Sequence, residues 1–77
     1  MDLVAHFIEE SCVISKHNQA SAKLLYTTYQ NWCEQNNERP INQRAFGMRL
    51  TERGFERQRR TAGQHWWIGI GLSDSSD

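Results

Sequence analysis

The spacing of apolar residues changes at Gly54. Before it, apolar side chains return every three or four residues; after it, they return every second residue. A repeat near 3.6 belongs to an amphipathic helix and a repeat of 2 to a half-buried strand. Neither pattern can be laid on the other structure without turning its apolar side to water. The chain therefore divides into a helical part and a β-hairpin. Its 77 residues make one domain at most, with a single core that both parts share.

In the helical part, Leu3, Val4, Phe7, Ile8 and Cys12 predict a first helix over residues 2 to about 12, with Glu9 and Glu10 outside the stripe. Val13-Ile14 is β-branched and long enough for at most a very short strand before the polar turn Lys16-His17-Asn18-Gln19. From about Ser21 to Gln35, Ala22, Leu25, Tyr29, Trp32 and Cys33 share one helical face. Lys23, Thr27, Gln30 and Glu34 lie opposite them. Asn36-Asn37-Glu38-Arg39-Pro40 stops this second helix, because Asn favours a left-handed cap and Pro cannot continue the helix.

The third helix announces both ends. Asn42 is a good N-cap, Ile41 and Phe46 stand where a hydrophobic staple requires them, and Gly54 stands at the C′ position. Phe46 and Leu50 form its inner face. At about 100° per residue, Arg44, Met48 and Thr51 fall on the outer face, with Gln43 and Arg49 flanking the core stripe.

Beyond Gly54, Phe55, Arg57, Arg59 and Thr61 alternate with Glu56, Gln58 and Arg60. Ala62-Gly63-Gln64 supplies a turn, and the return arm alternates Trp66, Ile68, Ile70 and Leu72 with Trp67, Gly69 and Gly71. Strict alternation turns Trp66 to the core in phase with Ile68 and Ile70. It leaves Trp67 to pack across the hairpin or to stack on a base. The order is helix, at most a short strand, helix, helix, hairpin. We expect an α+β winged helix over residues 1–72, three helices plus a C-terminal β-hairpin, and a disordered Ser/Asp tail over 73–77.

Charge narrows the partners. The formal net charge is +0, yet residues 39–65 hold seven arginines against Glu52 and Glu56, while residues 1–38 hold Lys16 and Lys23 against five acidic residues. Every positive charge in the basic segment is Arg, the residue suited to phosphate and bidentate recognition. Cys12 and Cys33 sit in apolar stripes and read as free thiols. His6, Cys12, His17, Cys33 and His65 lack paired-ligand spacing, so no metal and no cofactor are expected. Adjacent Glu9 and Glu10 diverge around a helix and cannot act as an acid–base pair, and no phosphate-binding loop occurs. Neither an enzyme nor a small-molecule substrate is expected. No apolar run is long enough to span a membrane and no signal peptide is recognisable, so a soluble chain is expected.

The string "LLYTTYQNWCEQNNERPINQRAFGMRLTERGFERQRRTAGQHWWIGIGL" resembles the C-terminal domain of phage and plasmid primase-helicases. The "LY..Y..WC" helix, the "P.....F...L...GF" segment and the "W.GI.L" closing strand carry the likeness, which spans roughly residues 1–72. These are mostly core residues and speak for fold more than chemistry. The resemblance implies a winged-helix DNA-binding module at the end of a larger replication protein in the cytoplasm of a bacterial host. In satellite-phage replication proteins of this kind the module recognises the origin, and primase and helicase domains precede it.

On this reading the third helix, residues 43–53, enters the major groove of double-stranded DNA, with Gln43, Arg44 and Thr51 nearest the bases and Arg49 at the edge. The hairpin, residues 57–65, lies along the backbone, with Arg59, Arg60, Gln64 and His65 as the contacts. Arg57 shares a strand face with Arg59, and if that face packs on the third helix both heads must reach outward past it. Two other readings remain open. The acidic residues of 1–38 could dock another domain of a parent primase-helicase, or Trp67 and the arginines could hold single-stranded DNA.

Overall fold

Asp2, Ser21 and Asn42 each place a side-chain oxygen at the start of a helix. The computed structural model describes residues 2–73, without the side chain of Thr61. Asp2 accepts from the backbone N–H groups of Val4 (3.1 Å) and Ala5 (3.3 Å) and opens α1, Leu3–Ser11. Ser21 Oγ accepts from Leu24 N at 3.0 Å and opens α2, Ala22–Gln35. Asn42 Oδ1 accepts from Ala45 N at 2.8 Å and opens α3, Gln43–Glu52. Each cap satisfies a donor that the helix itself cannot pair.

The far ends of α2 and α3 close in one way. Asn37 (φ 57°) and Gly54 (φ 96°) take positive φ just past the helix. Glu38 N–H then donates to Cys33 O at 2.8 Å, and Phe55 N–H to Leu50 O at 3.2 Å. Both ends are Schellman turns, as the Asn and Gly signals at those positions predict.

The three helices pack on an antiparallel sheet of β1 (Cys12–Ser21), β2 (Glu56–Arg59) and β3 (His65–Leu72), in the order β1-β3-β2. The fold is thus α+β. A 3-10 turn, Thr61–Gly63, joins β2 to β3. The core takes Val4, Phe7 and Ile8 from α1, Leu25, Tyr29, Trp32 and Cys33 from α2, and Phe46 and Leu50 from α3; Ala20, Trp67 and Ile70 close it from the sheet. Tyr29 stacks on Phe46 with centroids 4.6 Å apart, and Phe7 meets Tyr29 edge-on at 5.5 Å. Ile41 locks the α2–α3 loop, its N–H donating to Tyr29 Oη (3.2 Å) and its carbonyl accepting from Tyr26 Oη (2.9 Å).

Two sequence expectations are corrected. The sheet has three strands rather than two, because β1 runs through the residues that read as a polar turn. Cys12, Val13 and Ile14 pair with Leu72, Gly71 and Ile70, and Gln19, Ala20 and Ser21 pair with Ile68, Trp67 and Trp66. Residues 15–18 therefore bulge opposite Gly69 alone. Asn18 Nδ2 bonds Val13 O at 3.2 Å across the bulge, and Ser15 Oγ accepts from His17 N at 3.3 Å. Local polarity makes the excursion, and pairing with a strand some fifty residues later absorbs it into the sheet.

The second correction concerns the tryptophans. Trp67 is the buried one, 3% exposed, and Trp66 is only half-buried. Trp67 and the fully buried Ile70 are three residues apart, which a regular strand would put on opposite faces. Gly69, at φ 94°, breaks the alternation between them. The chain thus changes face at a glycine that can hold such a backbone, and the apparent phase of Trp66, Ile68 and Ile70 is cut in two. Residues 74–77 of the expected tail lie outside the described residues. Ser73 donates its N–H to Ser11 O at 2.8 Å.

Candidate nucleic-acid interface

Where α3 faces the hairpin it leaves an open groove of about 680 Å³. The α3 side of this groove is built by Gln43, Arg44, Gly47, Met48 and Thr51, residues at helical spacing on the face away from Phe46 and Leu50. The hairpin side is Arg57 and Trp67, direct neighbours across β2 and β3. The two sides meet at Gly47. A methyl group there would lie 3.5 Å from Trp67 Cζ2, so the helix rests against the indole edge. The structure thus brings Gln43, Arg44 and Thr51 together in one concave surface.

The remaining hairpin candidates gather at the turn. Arg59 pairs with His65 across the last rung of the ladder, and Arg60 N–H donates to Gln64 O at 2.7 Å. Gly63 N–H returns to Arg60 O at 3.1 Å, with Ala62 (φ 65°) and Gly63 (φ 73°) both left-handed in this tight turn. All four candidate side chains, Arg59, Arg60, Gln64 and His65, are exposed. The Arg60 guanidinium carbon lies 5.7 Å from the Trp66 ring centroid, and that of Arg57 lies 5.9 Å from the Trp67 ring. Each arginine rests on an indole face, which limits its rotamers while leaving its N–H donors free for an acceptor.

Two of the seven arginines are engaged elsewhere. Arg53 Nη2 meets Asp2 Oδ2 at 2.9 Å, and this bond holds the Asp2 carboxyl below its ordinary value. Arg49 pairs with Glu52 at 3.7 Å and lines a separate hollow with Asp2, Leu3, Val4, Tyr29 and Ile41, so it is not brought to the groove with Arg44. Among the described residues, Arg39, Arg44, Arg57, Arg59 and Arg60 form no ion pair. Glu52 is the acidic member of the groove lining.

Arg57 belongs to the groove and was not among the sequence-derived contacts. Its alternation with Arg59 gives the shared face, but not that Trp67 lies beneath it, because that depends on the register of β2 on β3, which the tight turn at Arg60–Gln64 sets. Met48 was placed on the outer face by its spacing and is found in the groove, 57% exposed.

The cysteines are free thiols, Cys33 buried and Cys12 half-buried. Burial pushes the Cys12 thiol up to about 12 and raises that of Cys33 as well, which suits packing rather than nucleophilic chemistry. Among the described residues no group of three or more His, Cys, Asp and Glu side chains is arranged to hold a metal ion. No helix described is long and apolar enough to cross a membrane. The model of the family described as Poxvirus D5 protein-like matches residues 1–66, from α1 into β3. No curated protein matches the sequence.

Proposed function

Since the chain belongs to the poxvirus D5 protein-like family, which ties it to viral primase-helicase domains, we propose that it is a winged-helix domain that binds double-stranded DNA and recognises a replication origin. Helix α3 enters the major groove and the hairpin turn lies along the phosphate backbone. The element order α1-β1-α2-α3-β2-β3 and the strand order β1-β3-β2 support the winged-helix reading. One observation carries the proposal: the outer face of α3 and the hairpin form a single groove, with Arg44 on one wall, Arg57 on the other and neither of them ion-paired among the described residues. Beyond it the strand leads to Arg59 and Arg60 at the turn.

The chemistry follows from the geometry. Arg44 and Gln43 can present paired donors to base edges, and Thr51 can donate or accept. Arg57, Arg59, Arg60 and His65, with Gln64, lie where phosphate oxygens would pass. Arg49, paired with Glu52, contributes at most at the edge. In this reading the domain binds and does not catalyse, and needs no cofactor.

The test is a titration of labelled duplex at several salt concentrations. Each phosphate neutralised contributes a log–log slope of about −0.9. Replacing Arg59 and Arg60 by Ala should flatten the slope by roughly 1.8, if each meets one phosphate, and should do so on every duplex sequence. A slope that stays put in the double variant would remove the hairpin from the interface. Absence of any salt-dependent binding by the wild-type domain would end the proposal.

A second reading rests on a different surface. Gln30, Asn31, Glu34, Glu38 and Pro40 line an acidic hollow at the end of α2. It would suit a basic segment of another domain in a parent replication protein. Glu34→Lys and Glu38→Lys would abolish such docking while leaving duplex binding intact.

A further inference from the structure

The outer face of α3 carries one large apolar side chain that the core does not use. Met48 is 57% exposed, in a helix whose other large apolar residues, Phe46 and Leu50, are 1% and 0% exposed. It lies in the groove one turn after Arg44 and one turn before Thr51, with Gly47 beside it. A polar side chain would serve better on a merely solvated face, and α3 has Gln43, Arg44, Arg49, Thr51 and Glu52 at its other exposed positions. An unbranched thioether held open among hydrogen-bonding side chains offers an apolar contact in a polar setting.

Resting on the reading of α3 as the helix in the major groove, we propose that Met48 is a specificity-determining contact that packs on the 5-methyl group of a thymine. That methyl is the apolar group which the four standard bases expose on the major-groove floor, and it distinguishes a thymine from adenine, guanine and unmodified cytosine. Arg44 lies about 6 Å before Met48 along the helix axis and Thr51 about 4.5 Å after it. The three side chains can therefore address neighbouring base pairs, stacked about 3.4 Å apart. The preferred duplex then carries a thymine between base pairs read by Arg44 and Thr51.

The probe is the best-bound duplex selected from a pool with a randomised centre. Each thymine in it is replaced in turn by deoxyuridine, which deletes the methyl and leaves the hydrogen-bonding edge intact. One replacement should weaken wild-type binding about fourfold, the factor for returning one methyl-sized apolar group to water. Met48→Gln should bind the thymine and deoxyuridine duplexes equally, with the salt slope unaltered. Met48→Leu should keep the preference. Because Met48 is exposed, these variants should fold, and circular dichroism checks that they do. The inference is overturned if no thymine responds, or if Met48→Gln keeps the full methyl response. In both cases duplex binding survives and the proposed function stands; wild-type failure to bind any duplex sinks both.

Discussion

Exchanging the two adjacent tryptophans for smaller residues, one at a time, tests the face change at Gly69 directly. Trp67 is 3% exposed, sits under Arg57 and meets α3 at Gly47. Removing a buried indole costs about 3–5 kcal/mol, from lost burial and from the cavity left behind. A chain of this length has a total stability on the order of 4–12 kcal/mol, so Trp67→Ala should leave much of the population unfolded at low urea. Trp67→Phe keeps a ring in the site and should cost about 1–2 kcal/mol. Trp66 is half-buried, and its defined partner is Arg60, a contact worth about 0.5–1 kcal/mol where it is open to water. Trp66→Ala should therefore cost about 1–2 kcal/mol, lowering Tm by roughly 4–16 °C. Urea melts followed by far-ultraviolet circular dichroism measure the difference without relying on tryptophan fluorescence. If Trp66→Ala proves as costly as Trp67→Ala, or more so, the alternation runs unbroken through Gly69 and the groove floor is wrongly assigned.

Other perturbations probe neighbouring links. Gly69→Ala and Gly54→Ala start from nearly the same φ, 94° and 96°, but the new methyl would lie 3.4 Å from Phe55 Cδ1 in the first and meet nothing within 4 Å in the second. Both should destabilise by about 1–2 kcal/mol through backbone strain, and Gly69→Ala should cost more and alter amide signals of both Trp67 and Ile70; a Gly69→Ala variant as stable as the wild type, with unmoved signals, would show that the face change does not need its glycine. Asp2 links α1 to the end of α3 through Arg53. Its folded pKa lies below the ordinary 3.8, chiefly because of that bond, so the stabilisation is whole above the ordinary value and is lost as pH falls through the folded one. Asp2→Asn keeps a capping oxygen and loses the charge, so its deficit should be about 0.2–1 kcal/mol at neutral pH and should shrink below about pH 4. A deficit independent of pH would assign the effect to the cap alone.

The helical half was largely legible. The capping oxygen of Asn42, the positive φ at Gly54 and the Asn stop after α2 are local devices, each needing only its neighbours within a few residues. The outer face of α3 could be read because helical periodicity assigns faces without reference to any partner. Arg44 and Thr51 follow from that periodicity, and the structure brings Gln43, a residue flanking the core stripe, into the same groove. Arg49, expected at the edge of that face, is a flanking residue that can turn to either side, and Glu52 one turn on is its partner.

What the sequence determined by itself was the set of elements that need only near neighbours: three helices with the stop of the second and both ends of the third, a turn at Ala62-Gly63-Gln64 and a strand on each side of it. What tertiary structure decided was everything that needs a strand partner. Val13 and Ile14 are only a short β-branched pair until β3 offers its open edge, and the polar residues after them stay in the sheet only as a bulge opposite Gly69. The same glycine decides which tryptophan is buried. A strand has no internal hydrogen bonds, so its length, register and inward face are set by distant residues, whereas a helix carries most of that information within each turn.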